Sequence, residues 1–291
     1  MLAVVLASAA AVLAGSRAVA PPPALTTLAL STADFQPGAR VTKERTQQES
    51  GGVVLFERDF GPGAIIGSTI LLGALSETLM YPDSGAASVD FASLRDDLKT
   101  KRGRTAFGKE IVKGFASGGH LKVRKTIVSA PVLGAQAMRF GVTLRTRAQS
   151  YNIVLDFVDV DRVIEIVVLF ALPGHRVSGA AAGLASGKAS ARIRVGFTVA
   201  NTALPTIVGT AGQGQTLTLD EGTWTGGPSG YTYAWQRCDA TGANCVPIAG
   251  AIQRTYVPTS SDSGSTLNVV VTGKNTVGSA SATSAATAIV P

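Results

Sequence analysis

The side chains of this chain whose type and spacing could do chemistry are two histidines, three close aspartates, one cysteine pair and one dense basic run. Nucleophilic catalysis needs a base held against a serine or cysteine. His120 follows Gly118-Gly119 and His175 follows Pro173-Gly174, so both fall in turns, and no Gly-x-Ser-x-Gly elbow accompanies them. Solvent-facing loop histidines are the expectation; an unrecognised hydrolase would have to join one of them to a carboxylate in a pocket. Asp156, Asp159 and Asp161 supply clustered oxygens, but the twelfth position counted from Asp159 is Phe170, where a calcium loop needs a bidentate glutamate. They read as one polar strand position and two hairpin residues. Gly183-Leu-Ala-Ser-Gly187-Lys188 is one residue short of a phosphate loop, and Gly212-Gln-Gly214 lacks the third glycine of a dinucleotide fingerprint. No catalytic residue, metal or cofactor is expected.

The basic run is the densest surface signal. Between positions 99 and 125 stand Lys99, Lys101, Arg102, Arg104, Lys109, Lys113, Lys122, Arg124 and Lys125 against Glu110 alone. Only Phe107 and Phe115 are interleaved, fewer aromatics than a nucleic-acid surface uses, so nucleic acid is not the expected partner. Lys101, Arg102, Arg104, Lys109, Lys113, Lys122, Arg124 and Lys125 form the candidate anion-binding patch. Its expected partner outside the cell is an anionic envelope polymer or lipid headgroups. The plainer alternative is a solvated face that keeps the domain soluble. Residues 204–291 carry three basic and four acidic side chains and the remainder 23 and 15, so an anion would meet the N-terminal part.

Targeting is also readable. Residues 2–15 are an unbroken apolar and small stretch, followed by Ser-Arg-Ala-Val-Ala and Pro21-Pro22-Pro23. It is shorter than the about 20 residues that span a bilayer, and it fits the core of a signal peptide with a cleavage site after Ala18 or Ala20. No lysine or arginine precedes it, and an uncleaved anchor is the alternative. Export makes Cys238 and Cys245 disulfide partners, with six residues between them and Gly242 free to turn the loop. No span is expected in the mature chain.

These groups need a scaffold. Residues 53–60 and 69–81 read as strands, the first half of the latter equally as a buried helix turn, and 84–98 as a helix with Ala87, Phe91, Leu94 and Leu98 on one stripe, closed by the basic residues and Gly103. Three strands follow: 137–145, one with Tyr151, Ile153, Leu155 and Phe157 on a face, and one with Ile164, Ile166, Val168 and Phe170. A last helix, capped by Ser178, carries Val177, Ala181, Leu184, Ile193 and Phe197, with Gly179, Gly183 and Gly187 placed for close packing. The expectation is an α+β domain, an antiparallel sheet with two helices on one face. With the opening Leu28-x-Leu30-Ser31-x-x-Asp34-Phe35-x-Pro37-Gly38, this order resembles secreted and lipoprotein domains of high-GC Gram-positive bacteria with a PsbP-like build. That resemblance implies binding or scaffolding and no catalysis.

In residues 204–291, Tyr231, Tyr233 and Trp235 alternate along a strand, 262–271 reads as a corner and a strand, and 275–278 as a turn. This order resembles the immunoglobulin-like sandwich appended to many bacterial secreted proteins. Unlike the antibody pattern, both cysteines lie in one hairpin beside Trp235, leaving it to pack on Val269 and Val271. The expected organisation is a signal peptide (1–20), a Pro-rich linker (21–27), a basic α+β domain (28–200), a link (201–205) and an all-β immunoglobulin-like sandwich (206–291). The expected role is secreted or cell-surface, non-enzymatic binding or scaffolding at the envelope. The alternative is a carrier of a small apolar ligand between sheet and helices of the N-terminal domain.

Overall fold

A computed structural model describes residues 25–117, 122–129, 132–133 and 136–291. The signal-peptide expectation, most of the Pro-rich linker and His120 lie outside them. The chain divides after Gly196 into two compact units. Among the described residues no helix is long and apolar enough to cross a membrane.

The first unit opens with the helical turn α1 (Leu25–Leu28), then strands β1 (Val41–Gln48), β2 (Val54–Phe60), β3 (Ile65–Ile66) and β4 (Thr69–Met80). Helices α2 (Ser84–Lys99) and α3 (Lys101–Ser117) precede β5 (Lys125–Val128), β6 (Val132–Leu133), β7 (Ala137–Arg145), β8 (Ser150–Val160), β9 (Val163–Ala171) and α4 (Gly179–Gly196). The sheet runs β1-β2-β4-β9-β8-β7-β5, with every neighbouring pair antiparallel. The sequence meander is β7, β8 and β9, and Asp161 turns the last hairpin at φ 58°.

Two helices on one face is not what forms. Phe91 and Leu98 of α2 and Phe107 and Ile111 of α3 pack with Phe140, Leu155, Phe157, Ile166 and Val168. On the opposite side Ala181, Ala182, Ala185 and Ala189 of α4 pack with Leu71, Ala74, Val167, Leu169, Leu30 and Phe35. The unit is therefore three-layered. The reason lies in β9, whose side chains from Val163 to Leu169 are all buried: a strand hidden on both faces needs a cover on each.

The stop expected at Gly103 is corrected too. The chain leaves α2 at the extended residue Thr100, and α3 starts one residue later. Thr100 Oγ1 accepts from Gly103 N at 2.9 Å, capping α3, and Arg104 Nη1 donates to the carbonyls of Leu98 at 2.9 Å and Lys99 at 2.7 Å. A Cβ on Gly103 would lie 2.0 Å from the Asp97 carbonyl oxygen, so this glycine permits the tight helix–helix corner. Asp83, whose carboxylate accepts from Ala86 N at 2.8 Å, caps α2. Along α4 the expectation for glycines fails. Cβ positions at Gly179 and Gly187 meet open space, and the close contacts belong to the buried alanines. Leu184 is exposed and Phe197 belongs to the second unit.

The opening segment is a clasp. Asp34 Oδ2 accepts from Ser31 N at 2.8 Å and from Arg192 Nε of α4 at 2.9 Å, while Phe35 lies 4.6 Å from the Phe60 ring. Beneath it, Leu30 N donates to Ser76 Oγ at 3.0 Å and Leu30 O accepts from Arg58 at 2.7 Å. Ser76 and Thr78 donate to the fully buried Glu165, Thr78 at 2.6 Å. Burial lifts the Glu165 carboxyl to about 8, against the hydrogen bonds that lower it. Glu77 is also buried, neither of its carboxyl oxygens has a hydrogen-bond partner among the described residues, and burial holds its pKa well above the usual range.

The second unit is all-β. β10 (Ala200–Ala203) pairs with β13 (Thr223–Thr225), and β12 (Leu217–Asp220) lies between β11 (Thr206–Val208) and β16 (Thr255–Tyr256). A four-stranded sheet runs β15 (Val246–Pro247), β14 (Gly230–Cys238), β17 (Thr266–Lys274), β18 (Ser279–Thr283). Residues 201–203, expected within a link, are thus part of a strand, because their backbone groups pair with β13. Trp235 is fully buried, opposite Val269, 5.5 Å from the Tyr256 ring, and donates from Nε1 to Gln253 O at 2.9 Å.

Asp262, fully buried, organises one end of this unit. Its Oδ1 accepts from Arg237 Nε at 2.8 Å and Nη2 at 2.6 Å; its Oδ2 accepts from Tyr256 at 2.9 Å and Thr259 N at 2.7 Å. Burial pushes its pKa up, but these bonds outweigh that and hold it below the usual value. Cys238 and Cys245 are joined in a disulfide. Within its loop the Asp239 carboxylate accepts from Thr241, Ala243 N and Asn244, bonds that hold its pKa at about 2.

Two outcomes follow for stability. The Glu165 carboxyl titrates near 4.5 unfolded and about 8 folded, so its contribution is full below pH 4.5 and is lost as pH rises through 8. Urea unfolding followed by far-UV circular dichroism is expected to show the first unit weakening across this window, with a flatter profile in Glu165→Gln. Asp262→Asn is expected to cost the second unit about 3 kcal/mol by stranding Arg237. Tryptophan fluorescence isolates that change, since both tryptophans, Trp224 and Trp235, lie in the second unit.

Candidate anion-binding groove

Helix α3 lies along β5, the terminal strand of the sheet path. Phe107 and Ile111, four residues apart, turn one stripe of α3 into the core, with the Phe107 ring edge-on to Phe140 at 5.0 Å. Gly108 permits the close approach: a Cβ there would stand 3.2 Å from Thr126 Cγ2 and Val128 Cγ2. Beside this crossing is an open groove of about 610 Å³. Lys101, Arg104, Thr105, Gly108, Lys109 and Val112 line it from the helix; Val123, Arg124, Lys125, Thr126 and Val128 line it from the strand side.

Among the described residues, five cationic side chains and no carboxylate line this groove. Arg104 is committed to the carbonyls that end α2. Lys101, Lys109, Arg124 and Lys125 are exposed and have no carboxylate partner among the described residues. Several other cations of the unit are paired: Lys43 and Arg45 with Glu57, Arg58 with Glu44, Arg139 with Asp156, Arg192 with Asp34. Arg145, across the ladder from Lys125, extends the positive edge. Like charges beside apolar surface raise the local potential and attract anions.

Of the eight patch residues, the fold brings Lys101, Arg104, Lys109, Arg124 and Lys125 to the groove. Arg102 and Lys122 are exposed and do not line it, and the Lys113 side chain lies outside what is described. Lys99 pairs with Asp96 at 2.6 Å. Thr105, Gly108, Val112, Val123, Thr126 and Val128 went unread as site residues; the signal for those on the helix was the 101, 105, 108, 109, 112 spacing, which is one helical stripe.

The other chemistry-bearing residues stay apart. His175 is exposed, its Nδ1 3.1 Å from Pro173 O, with no carboxylate partner among the described residues. Asp156 holds Arg139 through two bonds of 2.6 Å, and burial lifts Asp159 to about 6. Among the described residues no group of three or more histidine, cysteine or acidic side chains could hold a metal. The space between the sheet and helices α2 and α3, where an apolar ligand was the alternative, is filled by Phe91, Phe107, Met138, Phe140 and Phe157.

No protein-family model matches the chain, and no curated protein matches it. Among solved structures, the extracellular domain of PknH from Mycobacterium tuberculosis is similar at 10% identity and a TM-score of 0.37, covering 59% of this chain and 97% of that one.

Gly108→Val tests the close helix–strand approach. Crowding Thr126 and Val128 is expected to cost the first unit about 1–3 kcal/mol in far-UV melts while the tryptophan-reported second unit is unchanged.

Proposed function

We propose that this chain is an extracytoplasmic, non-catalytic binding protein whose first unit engages an anionic partner of the cell envelope through the α3–β5 groove. The observation that carries the reading is the convergence of five cations on one concave surface without a carboxylate. Four of them are exposed and have no carboxylate partner among the described residues, so their charge is available to a ligand. The extracytoplasmic part of the reading is supported by the Cys238–Cys245 disulfide, a bond that persists in oxidising compartments, and by the leader-like composition of residues 2–15. The second unit, read as an immunoglobulin-like module, serves as a spacer or partner-facing surface.

The test compares two variants for binding to anionic vesicles or wall fragments at low and high salt. Replacing Lys101, Lys109, Arg124 and Lys125 by Gln is expected to weaken binding about tenfold or more and to flatten its salt dependence. Replacing Arg102 and Lys122 by Gln is expected to change little. Unchanged binding in the fourfold variant, or equal loss in both, overturns the groove as the site.

A further inference from the structure

Resting on that anion-binding reading, we infer that the groove's occupant is a single-chain anionic amphiphile, its charged head among Lys101, Lys109 and Arg124 and its apolar chain on Val112, Val123 and Val128. A site for a polyanionic polymer needs only a charged surface. Here the cations border a concavity whose lining includes three valines, Thr105 and Thr126. A ligand made only of charged groups would leave those valines in water, whereas an alkyl chain would cover them, with a gain that scales with the apolar area buried. Val112, Val123 and Val128 are half-buried, so they are reachable and incompletely covered by the protein itself. The volume, about 610 Å³, falls within the range of about 300–1,000 Å³ that small-molecule pockets occupy. Head and tail sites are adjacent on one element: Lys101, Thr105, Lys109 and Val112 recur at helical spacing on α3. Arg124 comes from the strand side of the same opening. An acidic head has charge to meet on both walls, and none of the lining side chains repels it.

The experiment is calorimetry on the full chain with three probes: dodecyl phosphate below its micelle concentration, inorganic phosphate, and inorganic polyphosphate. Dodecyl phosphate is expected to bind with one-to-one stoichiometry and about tenfold or more tighter than inorganic phosphate. Thr105→Trp, which fills the groove and leaves every charge in place, is expected to abolish most of that gain. Val123→Asn, which keeps the groove open but wets its floor, is expected to do the same, so the test stands even where one variant fails to fold. Polyphosphate binding is expected to survive both changes and to be lost in the fourfold Gln variant. If dodecyl phosphate binds no tighter than inorganic phosphate, or if its affinity is indifferent to both Thr105→Trp and Val123→Asn, the amphiphile is overturned. Polyphosphate bound strongly and lost only in the fourfold variant would then make a polymer the occupant, with the anion-binding reading intact. If neither dodecyl phosphate nor polyphosphate responds to the fourfold variant, both readings fall together.

Discussion

The first unit is organised by the need to cover both faces of one antiparallel sheet. β9 and much of β8 carry apolar side chains on both sides, and leaving either set in water would forfeit a large part of the folding free energy. The α2–α3 corner answers this on one face, and α4 with the opening clasp answers it on the other. The polar groups in these layers are placed accordingly. Asp34 meets Arg192, and Glu165 sits among hydroxyls because it has no route to water.

The groove is a consequence of how that cover is divided. Phe91 and Leu98 of α2 join the central core, and α3 is carried by the corner at Thr100 toward the β5 end of the sheet. Over the last strand there is only half a core to fill. One stripe of α3, Phe107 and Ile111, is used for it, and the adjacent stripe is left facing the strand across open space. Cations on that stripe and on the strand side then share one concavity, where their potentials add. Several cations elsewhere in the unit are neutralised by nearby carboxylates, whereas four of those at this edge have none among the described residues.

The second unit solves a smaller version of the same problem with different means. Trp235 supplies much of its core, and Arg237, two residues on along β14, ties that strand to the Asp262 corner. Asp262 gathers bonds from Arg237, Tyr256 and Thr259, so three segments of the unit depend on one carboxylate. The disulfide and the Asp239-centred loop fasten the end of the same strand.

What was legible in the residues was local. The alternation at 151–157 and 164–170, the stripe of Ala87, Phe91 and Leu98, the cysteine pairing and the weight of charge between 99 and 125 all reflect periodicity or chemistry within a short window. What was missed depended on contacts that exist only in the folded chain. Gly103 looked like a helix stop because its real constraint, the Asp97 carbonyl, exists only once two helices turn against each other. The motif at 28–38 gave no sign that Asp34 would meet Arg192, 158 residues later. The sequence by itself determined the strands at 53–60 and 137–170, the helix at 84–98 and which stretch is basic, because backbone periodicity and charge are written residue by residue. Only the tertiary structure decided that helices cover both faces and that five of the cations line one groove over three valines, because burial on two faces and the approach of α3 to β5 are properties of the packed sheet.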